Sequence, residues 1–521
     1  MSGRQTTFLF IVAVLSMGIG AGCSSSSRIP ASTCHQREGL DPALLAVIEQ
    51  HRSAVPALMK KGGIPGCVIA LADERGLLWT EGFGYADRKR RVPATSNTPF
   101  LLCSISKTIT ATAIMLAVQD GLLDLDAPIV QYLPDFSVRS RYEEHAERKI
   151  TLRRLLTHTA GLPLDSSVGN IFQVTDSFDE HVRSAYGIWL IYPVGEAFSY
   201  SNIGIDLAAY ALQETAAMTF AQYVKERLFL RLGMSNSLID SRDIVKSSNR
   251  AVGHATPFAR MPFVISALGA GGMYASAEDL SRFIQLHLNR GRWGSNQLLD
   301  KSLVEVMYTP GAVAEPNVHR GLGFAIVNRD GNREWCLLHA GSGYGFETVL
   351  KIYPEYGIGE VILTNQMPNE AMAELSIAHK LIQTGAVTRH LGMPTIDGTN
   401  CVKAWDRKPA CAGSAYKREW KRYCGTYDLQ FIGYEFQWWA AWGMAVLHPD
   451  GYVPFIRVYE DGECLRVTES HFFEKLRSLW NREEAQALEE IGPGLFSTTS
   501  GAVLDMSGTT PLWRNYRLVR R

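Results

Sequence analysis

At 521 residues, with 46% hydrophobic and 20% charged residues, the chain is too long for one ordinary core and too apolar to be disordered. Two or three folded units of ~100–200 residues are expected. Lysine plus arginine equals aspartate plus glutamate at 52 each, so no net field recruits nucleic acid, and a small neutral or mixed-charge substrate fits better.

The chain begins with Arg4, the apolar run Phe8 to Ala21, and Gly20-Ala21-Gly22-Cys23 before four serines. That run falls short of the ~20 residues that span a bilayer as a helix, and it suits the hydrophobic segment of an export signal. Residues 1–23 are therefore expected to be a signal peptide. The small residues before Cys23 resemble a bacterial lipoprotein signal, which implies a lipid on Cys23, membrane anchorage and an envelope location facing the periplasm. Gly20 stands where such signals usually carry a branched residue, and a plain secretory signal is the alternative. Residues 24–40 read as a serine-rich tether.

The nine cysteines are irregularly spaced, without Cys-x-x-Cys or a nearby histidine pair, so no metal site and no cofactor are expected. Cys401 and Cys411 bracket a short linker containing Pro409 and are candidates for a disulfide in an oxidising compartment. Cys67, Cys103 and Cys336 lie in apolar runs and read as buried thiols.

Pro42 to Met59 has the pattern of an amphipathic helix. Cys67 to Ala72 and Gly76 to Gly82 flank Asp73-Glu74-Arg75 and read as a hairpin. Next comes Ser104-Ile105-Ser106-Lys107, followed by the apolar run Thr108 to Val118. A serine and a lysine three apart share a helical face, so the ammonium can sit beside the hydroxyl. If the serine opens the helix, unpaired amides gather where an oxyanion forms during acyl transfer. The same spacing recurs at Ser414 to Lys417, a polar stretch where it is given no catalytic meaning.

Ile150 to Pro163 is expected to be a helix with a Gly-x-Pro stop, and His158 inside it reads as structural rather than as a base. Tyr200 and Asn202, two apart, can face one cleft; the plainer reading is a turn with Asn202 capping the helix that follows. Ser276 is expected to cap another helix with Asp279 as the acid at its third position. Cys336 to Gly343, Thr348 to Tyr353 and Gly359 to Asn365 read as consecutive antiparallel strands, closed by a helix from about Glu370 to Gln383. The fold class is therefore α+β: an antiparallel sheet flanked by helices, with a helical subdomain inserted between its strands, over residues 41–390. Residues 391–413 form a linker. Residues 414–521 are rich in aromatics and short strand-like runs and are expected to form a small all-β barrel or sandwich, whose Trp438, Trp439 and Trp442 read as interior filling rather than a ligand platform.

Taken together, Ser104-Ile105-Ser106-Lys107, Tyr200-Ser201-Asn202 and His339-Ala340-Gly341 resemble the three boxes of the penicillin-recognising serine hydrolases. The branch is that of class C β-lactamases, D-alanyl carboxypeptidases, D-aminopeptidases and β-lactamase-like esterases. Leu155 to Pro163, Leu232-Gly233-Met234 and Gly271 to Leu280 resemble the family's connecting landmarks in order and spacing. The resemblance spans roughly 45–385 and implies a β-lactamase/transpeptidase-like fold, with the C-terminal unit similar to the accessory barrels of some members.

The resemblance implies that Ser104 attacks a carbonyl to give an acyl-enzyme, with Tyr200 and Lys107 as candidates for its base. A cation beside a phenol favours the phenolate, so the pair can shuttle a proton. Asn202 would hold the acyl chain's amide or ester, and the backbone N–H groups of Ser104 and Ser342, beside Gly341, would form the oxyanion hole. His339 departs from the lysine usual in β-lactamases; an ordinary histidine, with a pKa near ~6.5, is mostly neutral at pH 7 and captures a carboxylate less well. That favours ester or D-amino-acid amide and peptide substrates. A true β-lactamase or a D-alanyl-D-alanine carboxypeptidase is the alternative, and a binding protein that kept the fold without turnover is a third.

Overall fold

The computed structural model describes residues 33–166, 177–255, 264–315, 317–327, 335–367 and 371–390, and eight strands between 425 and 520. Cys23, Cys401, Cys411, Trp438, Trp439 and Trp442 lie outside the described residues, as do the expected signal and linker and residues 24–32 of the expected tether; the rest of that tether needs correction, because Thr33–Gln36 is a strand paired antiparallel with Gly76–Asp87 rather than a free polar segment.

The strand Gly66–Asp73 (β2) is buried at every position. Its residues divide by parity: Val68, Ala70 and Ala72 join one hydrophobic core, and Cys67, Ile69 and Leu71 join the other. Successive side chains point to opposite faces, so an unbroken apolar run marks a sheet covered on both sides. The strands of that sheet are Thr33–Gln36 (β1), β2, Gly76–Asp87 (β3), Ala312–Glu315 (β4), Val318–Arg320 (β5), Ala325–Val327 (β6), Cys336–Gly343 (β7), Phe346–Tyr353 (β8) and Ile358–Thr364 (β9). Their spatial order is β1-β3-β2-β9-β8-β7-β6-β5-β4, antiparallel throughout, and a short tenth strand, Val92–Pro93, pairs with β3. The sheet is thus assembled from both ends of the domain around the helices between them, as the sequence suggested.

One face carries helix Pro42–Lys61 (α1) and the short helices after Met372; the other carries Ser106–Gln119 (α2), Asn202–Ala216 (α3) and Ala277–Leu288 (α4). α2 is buried from Ser106 to Ala117, and its threonines avoid unpaired hydroxyls by bonding backbone carbonyls: Thr108 to Ile105, Thr110 to Gly269 and Thr112 to its own helix at Thr108. Ser276 caps α4 through the Asp279 N–H at 3.1 Å, as expected.

Three local expectations need correction. The helix placed at Ile150 to Pro163 covers only Leu152–Leu156; His158 and Gly161 then take positive φ (58° and 73°) and fold the chain back along residues 199–202. The helix placed at Glu370 to Gln383 is broken into Met372–Leu375 and Ala378–Gln383, and a further short helix, Ala386–His390, follows it. The buried Glu360 carboxylate of β9 accepts the Ile377 and Ala378 amides and starts the second helix afresh. Asn202 does not cap α3: Ser201 does, its Oγ accepting the Gly204 N–H at 3.0 Å.

At the C-terminal end, Gly425–Phe431 (β10), Phe455–Asp461 (β11), Cys464–Ser470 (β12), Gln486–Gly492 (β13), Leu495–Thr498 (β14), Val503–Asp505 (β15), Leu512–Trp513 (β16) and Tyr516–Arg520 (β17) form a closed barrel. β10 pairs with both β11 and β17, so no edge is left open.

Candidate active site

Ser104 sits in a single 3₁₀ turn, Cys103–Ile105, that leads directly into α2. The turn is pinned from three sides. The Leu102 N–H donates to Met273 at 2.8 Å, the Leu102 carbonyl accepts from Thr348 Oγ1 at 2.9 Å, and Cys103 Sγ donates to the Gly343 carbonyl at 3.4 Å. Cys103 holds φ 48°, left-handed and unusual for a residue with a Cβ, so the bend that presents Ser104 is strained and maintained by these contacts.

Lys107, one helical turn on, is fully buried. Its Nζ donates to Ser104 Oγ at 3.1 Å and to the Ala270 carbonyl at 2.7 Å, and lies 5.0 Å from the centre of the Tyr200 ring. Neither acceptor is a carboxylate. Burying an ammonium whose described acceptors include no carboxylate costs several kcal/mol even when it is hydrogen-bonded, so this arrangement opposes stability.

Tyr200 and its neighbours hang on the 158–164 segment. Ser199 N–H donates to the His158 carbonyl at 2.8 Å, Ser201 N–H to His158 Nδ1 at 3.1 Å, and Asn202 N–H to the Leu164 carbonyl at 2.7 Å. The His158 ring packs 4.5 Å from that of Tyr200. His158 is structural, as read from the sequence, and what it supports is the second box. Asn202 Nδ2 donates to Asp165 Oδ1 at 2.9 Å.

The third box runs along β7. A Cβ on Gly341 would stand 2.2 Å from the Leu102 carbonyl and 2.4 Å from Thr348 Oγ1, so only glycine lets this strand lie against the nucleophile's turn. Ser342 beside it is exposed, and His339 is buried. His339 Nδ1 lies 2.9 Å from the Ala340 carbonyl, an acceptor only, so Nδ1 carries the proton. Burial, then the charges of Lys107 and Arg320, push the His339 pKa down to about 3. The histidine is therefore neutral across the physiological range, more firmly than its residue type alone implies.

The structure thus brings Ser104, Lys107 and Tyr200 together at one end of α2, with Asn202 on the adjoining helix start and Gly341 against the turn. It also adds a residue that sequence reasoning missed. Arg320, at the end of β5, lies 5.7 Å from the Tyr200 ring centre and 5.1 Å from that of Phe198, and its buried Nε has no hydrogen-bond partner among the described residues. Burial lowers its pKa, against the opposing pull of Tyr200 and Glu315. An arginine before Gly321-Leu322-Gly323 gave no motif to read; the signal was only that a charged residue ends a short strand just before a glycine turn.

The beta-lactamase family model matches residues 51–384, enclosing all of these residues. The chain belongs to the beta-lactamase family. It is similar to Protein flp of Staphylococcus aureus (strain MW2), 26% identical over 315 residues, which are 59% of this chain and 61% of that protein. A Bacillus subtilis (strain 168) protein named as penicillin-binding protein PbpX is 26% identical over 280 residues, 52% of this chain and 64% of that one. The match thus covers about three fifths of each relative's length. Among solved structures, the octameric penicillin-binding protein homologue from Pyrococcus abyssi superposes with TM-score 0.56 at 20% identity, over 91% of this chain and 100% of its own. SurE gives TM-score 0.59 at 20% identity, over 92% and 100%. At such identities the superpositions establish a shared fold and nothing more.

The buried histidines of this family member set a pH dependence. His287, held by Thr112 and Tyr308, is also pushed down to about 3 by burial, and His158 falls well below its ordinary value for the same reason. The unfolded chain takes up these protons near pH ~6.5, whereas the folded one holds His287 and His339 neutral down to about pH 3 and His158 neutral well below its ordinary range, so acid below pH ~6.5 favours unfolding. Asp279, pushed up to about 6 chiefly by burial, acts in the opposite sense, while burial also lowers His51 and His254 in the same sense as these three rings. Melting temperature is expected to fall as the pH is lowered from 7 to 4.5 in thermal scans; a rise would contradict the burial of these rings.

Proposed function

We propose that the chain is a serine hydrolase that works through an acyl-enzyme on ester or D-amino-acid amide and peptide substrates. The observation that carries this reading is the buried Lys107 ammonium held between Ser104 Oγ and the Ala270 carbonyl beside Tyr200. In the proposed sequence Ser104 Oγ attacks the substrate carbonyl while its proton passes to the Lys107 and Tyr200 pair. The oxyanion is met by the Ser104 and Ser342 N–H groups, and Asn202 holds the acyl portion. The pair then returns the proton to the leaving group, and water, activated by the same pair, releases the acid. An envelope-facing location, argued from Phe8 to Cys23, accords with substrates of this kind.

A neutral His339 offers no cation to a substrate carboxylate, which favours esters and amides over β-lactams. The test is turnover of a nitrophenyl acyl ester, a D-aminoacyl anilide, a D-alanyl-D-alanine peptide and a chromogenic cephalosporin by one preparation. The ester or anilide is expected to lead, and a cephalosporin turned over fastest would overturn the preference.

Arg320 favours a second reading, a carboxypeptidase, because its Nε, without a partner among the described residues, stands beside Tyr200 where His339 supplies no charge. A charge-assisted hydrogen bond to a carboxylate is worth roughly 1.5–3 kcal/mol. On that reading Arg320→Gln raises KM for the D-alanyl-D-alanine peptide ~10-fold or more beyond any change for the ester. Equal changes for both would assign Arg320 to the packing of Tyr200 and Phe198 alone.

A further inference from the structure

Asp206 is a fully buried carboxylate in the apolar helix α3, one turn after Asn202. Such a group is costly unless both oxygens are engaged. Oδ2 faces His181 Nε2 at 3.0 Å, and Oδ1 accepts the Ala270 backbone N–H at 2.9 Å. His181, from the helix Phe178–Arg183, is also fully buried, and its Nδ1 has no partner among the described residues, so the ring's described hydrogen bond is spent on Asp206.

Ala270 lies in the short helix Leu268–Gly271, and it is bonded at both ends: its N–H is given to Asp206, and its carbonyl accepts from Lys107 Nζ. The turn has little slack. The Gly269 carbonyl accepts from Thr110 Oγ1 at 2.7 Å, and a Cβ on Gly269 would stand 2.8 Å from Ala209 Cβ and 3.1 Å from Asp206 Oδ1.

We propose that Asp206, oriented by His181, is a positioning residue for the nucleophile: it fixes the Ala270 peptide, whose carbonyl holds the Lys107 ammonium at Ser104 Oγ. This rests on the reading that the Lys107 and Tyr200 pair takes the Ser104 proton. A lysine is a point charge on a flexible four-carbon stem and needs such an anchor to keep one position. Without Asp206 the Ala270 N–H is buried without an acceptor and the turn moves; a misplacement of ~1 Å at a reacting group costs ~10²-fold in rate.

The test uses the full-length protein, with active sites titrated by a fluorophosphonate so that rates refer to folded enzyme. In Asp206→Ala, kcat for an ester and the labelling rate constant are expected to fall roughly 10- to 100-fold, with KM moving much less. Asp206→Asn can still accept from Ala270 through Oδ1 and donate to His181 through Nδ2 once the imidazole changes tautomer, so it is expected to recover most of the loss. Should Asp206→Ala not fold, His181→Ala carries the test, with a fall of ~10-fold per titrated site. A merely structural Asp206 would lower the melting temperature and the titratable fraction while leaving the rate per site unchanged, which overturns the proposal; so does an Asp206→Asn no faster than Asp206→Ala. Lys107→Ala is measured alongside. A slowed Lys107 variant with an unimpaired Asp206→Ala overturns the positioning role alone, whereas an unimpaired Lys107 variant overturns the part of Lys107 in the proton-accepting pair and this role with it.

Discussion

Ser104→Ala is expected to abolish both fluorophosphonate labelling and turnover of every substrate the protein accepts. The hydroxyl is the atom that Lys107 Nζ reaches at 3.1 Å, and it stands where a 3₁₀ turn becomes α2, so oriented amides surround it. The fold should survive the change. The turn is held by Leu102, Cys103 and Thr348, none of which bonds the Ser104 side chain, so melting temperature should move little. Labelling that persists in Ser104→Ala would remove this residue from the chemistry.

Lys107→Ala and Tyr200→Phe are each expected to lower kcat by ~10²-fold or more, the usual cost of losing acid–base help. The two variants differ in what else they disturb. Lys107→Ala empties a fully buried site and leaves the Ala270 carbonyl without its donor, so its melting temperature has to be measured beside its rate. Tyr200→Phe keeps the ring that packs on His158 and lies near Lys107 and Arg320, and removes only the hydroxyl. It is the cleaner experiment: a folded Tyr200→Phe with unchanged kcat would exclude the phenol from proton transfer.

The residues of the nucleophile's turn were legible because their geometry is local. Ser104 and Lys107 are three apart on one helix, and that spacing alone brings hydroxyl and ammonium together. The sheet was legible for a related reason: β2, β8 and β9 are apolar runs punctuated by turns, and strands buried on both faces read that way. The segment after Leu156 was not legible. Its helical pattern is overridden by bonds to Ser199, Ser201 and Asn202, some 40 residues away, and such long-range pairing leaves no local trace. Glu360 broke an expected helix in the same manner, by reaching the Ile377 and Ala378 amides from the sheet. Arg320 and the function of Asp206 were missed because each matters only through partners distant in sequence. Asp206 did leave a hint, a carboxylate within Ile203-Gly204-Ile205-Asp206-Leu207-Ala208, which must find a buried partner if that face is packed.

His339 concentrates the difference between sequence and structure. The residue type suggested weak carboxylate capture through a group half a pH unit from neutrality; the burial and two neighbouring cations make it a neutral ring whose Nδ1 is committed to the Ala340 carbonyl. Arg320, outside the three boxes, is a second cation near Tyr200, and the Arg320→Gln comparison of peptide and ester tests whether it reads a substrate carboxylate.

The most direct measurement is to localise the acyl-enzyme itself. The protein is mixed with a slowly released acyl ester, quenched in acid within the first turnover, digested, and mapped by mass spectrometry with fragmentation. The expected result is one acyl increment on the peptide containing Leu102-Cys103-Ser104-Ile105, localised to Ser104 and absent after Tyr200→Phe has slowed acylation. An increment on Ser106, Ser342 or any other residue, or turnover with no covalent adduct at all, would contradict it.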